Sequence, residues 1–205
     1  MEQFDRCCQV ENTYLRQHGG VLYPQLEETL EALNRDTSVH GILVFRPLPG
    51  HLDEEPLKQM IDPVKDVDCM SPVNMAKVFA GDDSGYAPCT AEAVTVLLEH
   101  YGVACAGKRA VVIGRSPVVG RPAAMLLLAR NATVTVCHTA TANLPAVTRG
   151  ADIIVSAAGA AGSLTASHVR PGQTVIDVSV SWDAARNAMV GDAEFDAVSA
   201  VVDAI

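Results

Sequence analysis

Four short runs of branched apolar residues dominate the second half of the chain: Ala110–Ile113, Thr133–Val136, Asp152–Ser156 and Thr174–Val178. Each is nearly continuous in apolar character, the pattern of a parallel strand covered on both faces. Helical patterns separate them. Pro122–Arg130 is rich in Ala and Leu, and Asn143–Gly150 ends in a glycine suited to stopping a helix. Strands alternating with helices select right-handed βαβ crossovers and a parallel sheet. The expected fold class is α/β, with a Rossmann-like parallel-sheet domain over residues 106–205 and a small α/β domain over residues 1–105.

The first half is less regular. Met1–Val10 reads as the end of a helix and Thr13–Gln17 as a strand. Pro24–Asn34 is an amphipathic helix, with Leu26, Leu30 and Leu33 spaced for one face. Gly41–Phe45 reads as a strand halted by Pro47 and Pro49, and Glu54–Ile61 as a helix. The Pro, Gly and Asp clusters of Asp62–Tyr86 read mostly as loop. Thr90 is a fair N-cap for a helix over Ala91–Tyr101, with Glu92 in its first turn, and that helix is expected to bridge the two halves.

Composition excludes several classes. A chain of 205 residues allows one to two domains at about 150 residues per domain. A net charge of −9 argues against a nucleic-acid binder, which normally presents a basic face, and 4% aromatic residues disfavour base-stacking platforms. The longest clean apolar run, Ala123–Ala129, is far short of the ~20 residues of a membrane span. Met1 is followed by Glu2, Gln3, Phe4 and Asp5, which is not a secretory signal, and a cytoplasmic protein is expected. The six cysteines form no C-x-x-C pair and no zinc-like cluster, so reduced thiols and no metal site are expected.

The most informative stretch is Val111-Val112-Ile113-Gly114-Arg115-Ser116-Pro117-Val118-Val119-Gly120-Arg121-Pro122. It reads as a strand, a turn with two glycines and a helix, an arrangement that can turn backbone N–H groups toward a pyrophosphate. Ser116 stands where the middle glycine of G-x-G-x-x-G usually lies, and an ordinary strand-to-helix turn of a flavodoxin-like fold fits equally. NAD enzymes usually carry an acid after the second strand, whereas Val136-Cys137-His138-Thr139-Ala140-Thr141 has none. Arg115 can meet a 2′-phosphate, with Thr139 as a neutral partner, which favours NADP over NAD; a solvated surface arginine is the other reading. Small residues in Ser156-Ala157-Ala158-Gly159 leave room for a ligand or for tight helix–sheet packing. In the first half, an extended backbone would point Asp66 and Asp68 to one side, where a carboxylate can bind the amidine edge of a pterin-like ring through two hydrogen bonds. Solvated loop acids with capping roles fit as well.

Taken in order, these segments resemble the bifunctional methylenetetrahydrofolate dehydrogenase/methenyltetrahydrofolate cyclohydrolase family. The matching runs are G-I-L-V-x-x-P-L-P-x-H at Gly41–His51, D-P-x-K-D-V-D at Asp62–Asp68, P-V-N at Pro72–Asn74 and P-C-T at Pro88–Thr90. They continue through Ala106–Pro122, Ala132–His138, Ala151–Gly159, Val175–Val178 and V-G-D at Val190–Asp192. The resemblance implies a two-domain enzyme, usually a homodimer. Such an enzyme oxidises the methylene bridge of 5,10-methylenetetrahydrofolate with NADP (NAD in some readings), then hydrates the methenyl cation to 10-formyltetrahydrofolate. It further implies cofactor contacts at Gly114, Arg115, Ser116, Gly120, Thr139 and Val180, folate binding at Asp68, and a substrate wall at Pro47 and Leu48.

The departures from the family are equally specific. Its Y-x-x-x-K lysine motif and its T-P-V-P-G-G-V-G-P-M-T loop have no counterpart, so N-terminal catalytic and C-terminal segments are expected to be lacking. Phe45 replaces the glutamine that tunes the lysine, Cys69 replaces the glycine after D-V-D, and Ser179-Val180 replaces G-I. Hydride transfer depends mainly on holding two rings in register, whereas attack by water needs proton management. The expected function is therefore an NADP-dependent dehydrogenase with cyclohydrolase activity weak or absent. The alternative is a catalytically degenerate nucleotide- or folate-binding relative.

Overall fold

The computed structural model describes residues 23–46, 48 and 52–205. The expected helix end at Met1–Val10 and strand at Thr13–Gln17 lie outside the described residues, as do Pro47, Cys7 and Cys8. The chain packs as two compact units, Met1–Val73 and Asn74–Ile205.

In the first unit, α1 (Tyr23–Arg35) carries the expected apolar stripe. Leu30 is buried with Ile42, Leu57, Ile61 and Met70, and Leu26 and Leu33 pack against that cluster. Helix α2 (Glu54–Met60) starts where the Asp53 carboxylate accepts from the Glu55 N–H, with Glu54 and Glu55 in the first turn. Anionic groups there satisfy orphan donors and oppose the helix dipole. Lys65 closes the other end of α1: its Nζ donates to the carbonyls of Leu33, Asn34 and Asp36 at 2.9, 2.7 and 2.7 Å. The lysine of the D-P-x-K run is thus a helix stop.

Two expectations for this region are corrected. Gly41–Phe45 is not a regular strand, since it forms one parallel bridge, Ile42 to Asp66, with the Ile42 N–H donating to the Lys65 carbonyl at 2.6 Å. The partner segment turns immediately (Lys65 N–H bonds back to the Asp62 carbonyl), so no ladder propagates among the described residues. The stretch expected to be loop contains α3 (Pro72–Ala80). Pro72 sits in its first turn, where a missing N–H costs nothing, and Gly81 ends it with φ +71°. The unit boundary falls within this helix.

After α3 the second unit continues with α4 (Cys89–His100), whose cap position is Pro88 rather than Thr90. Pro88 is already extended at φ −57° and ψ 128°, and its carbonyl accepts from the Glu92 N–H, so Thr90 falls inside the first turn. The order then runs β1 (Arg109–Ile113), α5 (Gly120–Ala129), β2 (Thr133–Cys137), α6 (Leu144–Arg149), β3 (Ile153–Ser156), a 3-10 turn (Ala166–His168), β4 (Thr174–Asp177), β5 (Ser181–Asp183), β6 (Ala188–Val190) and α7 (Phe195–Ser199). β1 to β4 form a parallel sheet in the order β2-β1-β3-β4, as the Rossmann-like reading requires.

The strands alternate between two cores. Val112 and Val155 face Val94 and Leu98 of α4 and Ala124 and Leu127 of α5. Val111, Ile154 and Val175 face the opposite layer, with Leu164 and Val198. Each fully buried Val or Leu contributes about 1.5–3 kcal/mol. Helix α4 therefore packs into this unit. β2 departs from expectation, because Thr133, Thr135 and Val136 are exposed. It is the sheet edge among the described residues, and branched residues there serve strand propensity more than burial. The antiparallel β5–β6 hairpin was not expected; the Asp183 carboxylate anchors its turn by accepting from the Ala185 and Arg186 N–H groups.

Cys69, Cys89, Cys105 and Cys137 are free thiols. Among the described residues no group of three metal-ligating side chains occurs, and no helix is long and apolar enough to cross a membrane.

Candidate functional site

The register of the sheet aligns the carboxyl ends of four strands at Cys137, Ile113, Ser156 and Asp177. Just beyond, the Gly114 N–H bonds to the Cys137 carbonyl at 2.9 Å, Ala157 to Ile113 at 2.7 Å and Val178 to Ser156 at 3.0 Å. From β1 the chain passes outward to β2, then returns across to β3 on the other side. The strand order thus reverses between β1 and β3, and ligands of open α/β sheets bind at such a switch point.

At that point only glycine fits. Gly114 has φ +122°, and a Cβ there would lie 2.2 Å from the Ala157 carbonyl oxygen. A Cβ on the buried Gly120 would lie 2.3 Å from the Gly114 carbonyl oxygen. Both glycines therefore allow backbones to cross, and α5 begins directly against the β1 turn. Ser116 caps that start, accepting from the Val119 N–H at 3.1 Å and the Gly120 N–H at 3.4 Å. These helix N–H groups are thus internally engaged rather than open, while the hydroxyl proton of Ser116 remains to donate outward. Arg115 is exposed and makes no ion pair with a described residue. Thr139 is exposed in the adjoining loop, which is shaped by Thr141 accepting from the His138 N–H and by His138 Nδ1 accepting from the Ala140 N–H. Val180 is 68% exposed in the segment between β4 and β5.

One residue of this rim was missed as a site residue. Asp192, buried completely, gathers donors from the loops after β3 and β4. Only its V-G-D context marked it in the sequence. Ser179, a departure from the family glycine, has ordinary negative φ here and bridges the Gly159 N–H to the Asp192 carboxylate.

The remaining candidates lie in the first unit. Asp66 and Asp68 do not share one face of an extended segment, because the backbone turns there. Asp66 is 1% exposed and accepts from the Met70 and Ser71 N–H groups at 2.8 Å each, a structural duty. Asp68 is half-buried and meets Arg46 Nη2 at 3.5 Å. Cys69 is buried with φ +56°, a left-handed conformation that favours glycine. Burial, then the charges of Asp66 and Asp68, pushes its thiol up to about 12, so it is no nucleophile at neutral pH. Phe45 is 63% exposed, and Leu48 is half-buried.

Two profiles of one family match the chain. "Tetrahydrofolate dehydrogenase/cyclohydrolase, NAD(P)-binding domain" covers residues 88–205, and the corresponding "catalytic domain" covers residues 9–68. "Bifunctional protein FolD 1" of Desulfitobacterium hafniense is 51% identical over 84% of this chain and 61% of its own length. The crystal structure of the bifunctional FolD enzyme from Campylobacter jejuni aligns with a TM-score of 0.88 at 40% identity, over 91% of this chain and 66% of that one. The Trypanosoma brucei dehydrogenase-cyclohydrolase, solved with NADP cofactor and an inhibitor, aligns at 0.83 and 38% identity, over 91% and 65%. The chain thus spans roughly three fifths of the length of the curated relatives it matches.

Proposed function

Because the chain belongs to the tetrahydrofolate dehydrogenase/cyclohydrolase family, we propose that it acts in folate one-carbon metabolism as an NADP-dependent 5,10-methylenetetrahydrofolate dehydrogenase, with cyclohydrolase activity weak or absent. The observation that carries this reading is the switch point, where Gly114 and Gly120 bring two backbones together beside a second strand that ends without an acid. With the first helix N–H groups engaged there, the Ser116 hydroxyl and the Arg115 side chain are the donors this switch point offers to a dinucleotide phosphate. Gly114, Arg115, Ser116, Gly120, Thr139 and Val180 are the residues assigned to hold NADP, which supplies the hydride acceptor. The Ser116 hydroxyl donates to phosphate, and the uncommitted Arg115 guanidinium favours a 2′-phosphate over a free ribose hydroxyl. Val180 offers apolar surface between β4 and β5.

On the substrate side, Asp68 accepts from the amidine edge of the pteridine, with Pro47 and Leu48 as a wall. Asp66 is spent on its turn, which leaves Asp68 the carboxylate suited to a ligand. Phe45 can neither donate nor accept a hydrogen bond through its side chain, so it cannot tune a base for attack by water. Functionally the division falls into a folate region, 1–105, and a cofactor region, 106–205, although α4 packs with the latter. The homodimer and the cytoplasmic location are carried over from the family resemblance. Phe45 and the Arg46–Asp68 pair favour a second reading, a degenerate relative that binds nucleotide or folate without turnover.

Titration with NADP and NAD, followed by thermal unfolding, tests the cofactor, since a ligand selective for the folded state raises the melting point. A coupled assay follows NADPH formation and methenyl decay. NADPH formation with methenyl decay at the uncatalysed rate is expected. Fast methenyl hydrolysis would refute the cyclohydrolase assignment, and binding without NADPH formation would favour the second reading.

A further inference from the structure

Asp192 lies between β6 and α7 and holds none of the positions assigned above to substrate or cofactor. Its Oδ2 accepts from Ser156 Oγ at 2.9 Å, the Ala158 N–H at 2.8 Å and Ser179 Oγ at 2.7 Å, and its Oδ1 accepts from the Ala160 N–H at 2.7 Å. Its own carbonyl accepts from the Leu164 N–H at 3.0 Å. Ser179 also takes the Gly159 N–H at 3.1 Å. One buried carboxylate therefore ties together the loops after β3 and β4.

Three of the four ties land next to a residue that touches or precedes a cofactor position. Ser156 and Ala158 flank Ala157, whose carbonyl oxygen is the atom that limits Gly114. Ser179 precedes Val180. We propose that Asp192 is the positioning residue of the cofactor rim. It fixes residues 157–160 and 179–180 against the Gly114 turn, and so sets dinucleotide affinity without touching the dinucleotide. A carboxylate suits this task because its two oxygens accept all four converging donors. An asparagine has one acceptor oxygen and would aim its own N–H groups at donors, and an apolar residue would strand the Ala158 and Ala160 N–H groups. The proposal rests on reading the second unit's rim as an NADP site.

The test compares wild type, Asp192→Asn and Ser179→Ala in the full chain. NADPH affinity is read from NADPH fluorescence, and affinity for 5-formyltetrahydrofolate and far-UV circular dichroism are read in parallel. Asp192→Asn is expected to weaken NADPH about ten-fold or more while folate affinity stays within about two-fold, and Ser179→Ala to weaken NADPH about three-fold. A folded Asp192→Asn protein that binds NADPH within about two-fold of wild type overturns the proposal. Equal loss of both ligands does so too, since the carboxylate would then merely support the fold. If Asp192→Asn does not fold, Ser156→Ala/Ser179→Ala decides: NADPH weakened about three-fold or more supports the proposal, and any smaller change overturns it. A wild-type protein that binds the folate but no NADPH overturns the rim reading itself, and this proposal with it.

Discussion

Gly114→Ala separates two costs that usually travel together. The first is conformational: φ +122° lies where residues with a Cβ are strained by about 1–3 kcal/mol. The second is contact. The new Cβ would lie 2.2 Å from the Ala157 carbonyl oxygen and 2.8 Å from its carbonyl carbon, both backbone atoms. Ala157 cannot simply retreat, because its N–H is bonded to Ile113 at 2.7 Å and Asp192 fixes its neighbours on both sides. Separating β1 from β3 there adds a further 1–3 kcal/mol or so, as for other overpacked sites. The stiffer unfolded chain returns about 0.4–1 kcal/mol, which leaves a loss of about 3 kcal/mol. Gly102→Ala is the control: φ is +68°, but no atom lies within 4 Å of the new Cβ. Its expected loss is about 1 kcal/mol, from the left-handed conformation alone. Urea unfolding of the two variants measures the difference, about 2 kcal/mol, which corresponds to a gap of ~4–8 °C in melting temperature for a chain of this size. Equal destabilisation of the two would show that β1 and β3 do not cross closely, and the switch-point argument would lose its basis.

Three further outcomes are expected. Cys69→Gly should be more stable than Cys69→Ala by about 1 kcal/mol in urea unfolding, the reverse of the usual order, because only glycine relieves φ +56°; the opposite order would refute the strain. Burial and then the Arg149 charge hold the His168 pKa below that of an ordinary imidazole, while Nδ1 accepts from the Thr165 N–H at 3.2 Å. Since the folded state resists protonation, this contribution is full above the unfolded value of about 6.5 and is lost as pH falls through the folded value. Urea midpoints should therefore decline with acidity more steeply in wild type than in His168→Gln, and parallel profiles would contradict the assignment. Arg115→Ala should weaken NADP about ten-fold and NAD little, by isothermal titration, since only NADP carries the 2′-phosphate; equal losses would mean that Arg115 does not meet that group.

The parallel sheet was legible because its central strands β1 and β3 are buried between two layers, and burial leaves a continuous apolar run in the chain itself. The glycine turn was legible because close backbone crossing admits no other residue. Features set by distant partners were not. Helix α3 hides behind Pro72 and Gly81, which look like breakers but act as its start and stop. The Gly41–Phe45 segment has strand composition, yet the number of bridges it forms depends on the turn opposite it. Asp192 bonds to Ser156 across a separation of 36 residues, and no local pattern encodes that pairing.

The aspartates show why a motif alone is a poor guide to chemistry. Asp66, Asp68 and Asp192 all sit in runs shared with the family, yet their surroundings assign them different work. Asp66 and Asp192 are 1% and 0% exposed, and each converges on backbone N–H groups that would otherwise be stranded. Their charge is used to hold a turn or a loop, and its removal would leave buried donors without acceptors. Asp68 keeps a quarter of its side chain exposed and meets Arg46 at 3.5 Å, an ion pair worth about 1 kcal/mol or less. A ligand offering two aligned donors can outbid that contact, because a bidentate charge-assisted pair is stronger than one stretched bond in partial solvent. In the proposed function the partly exposed carboxylate meets the ligand, and the buried ones define the shape in which it works.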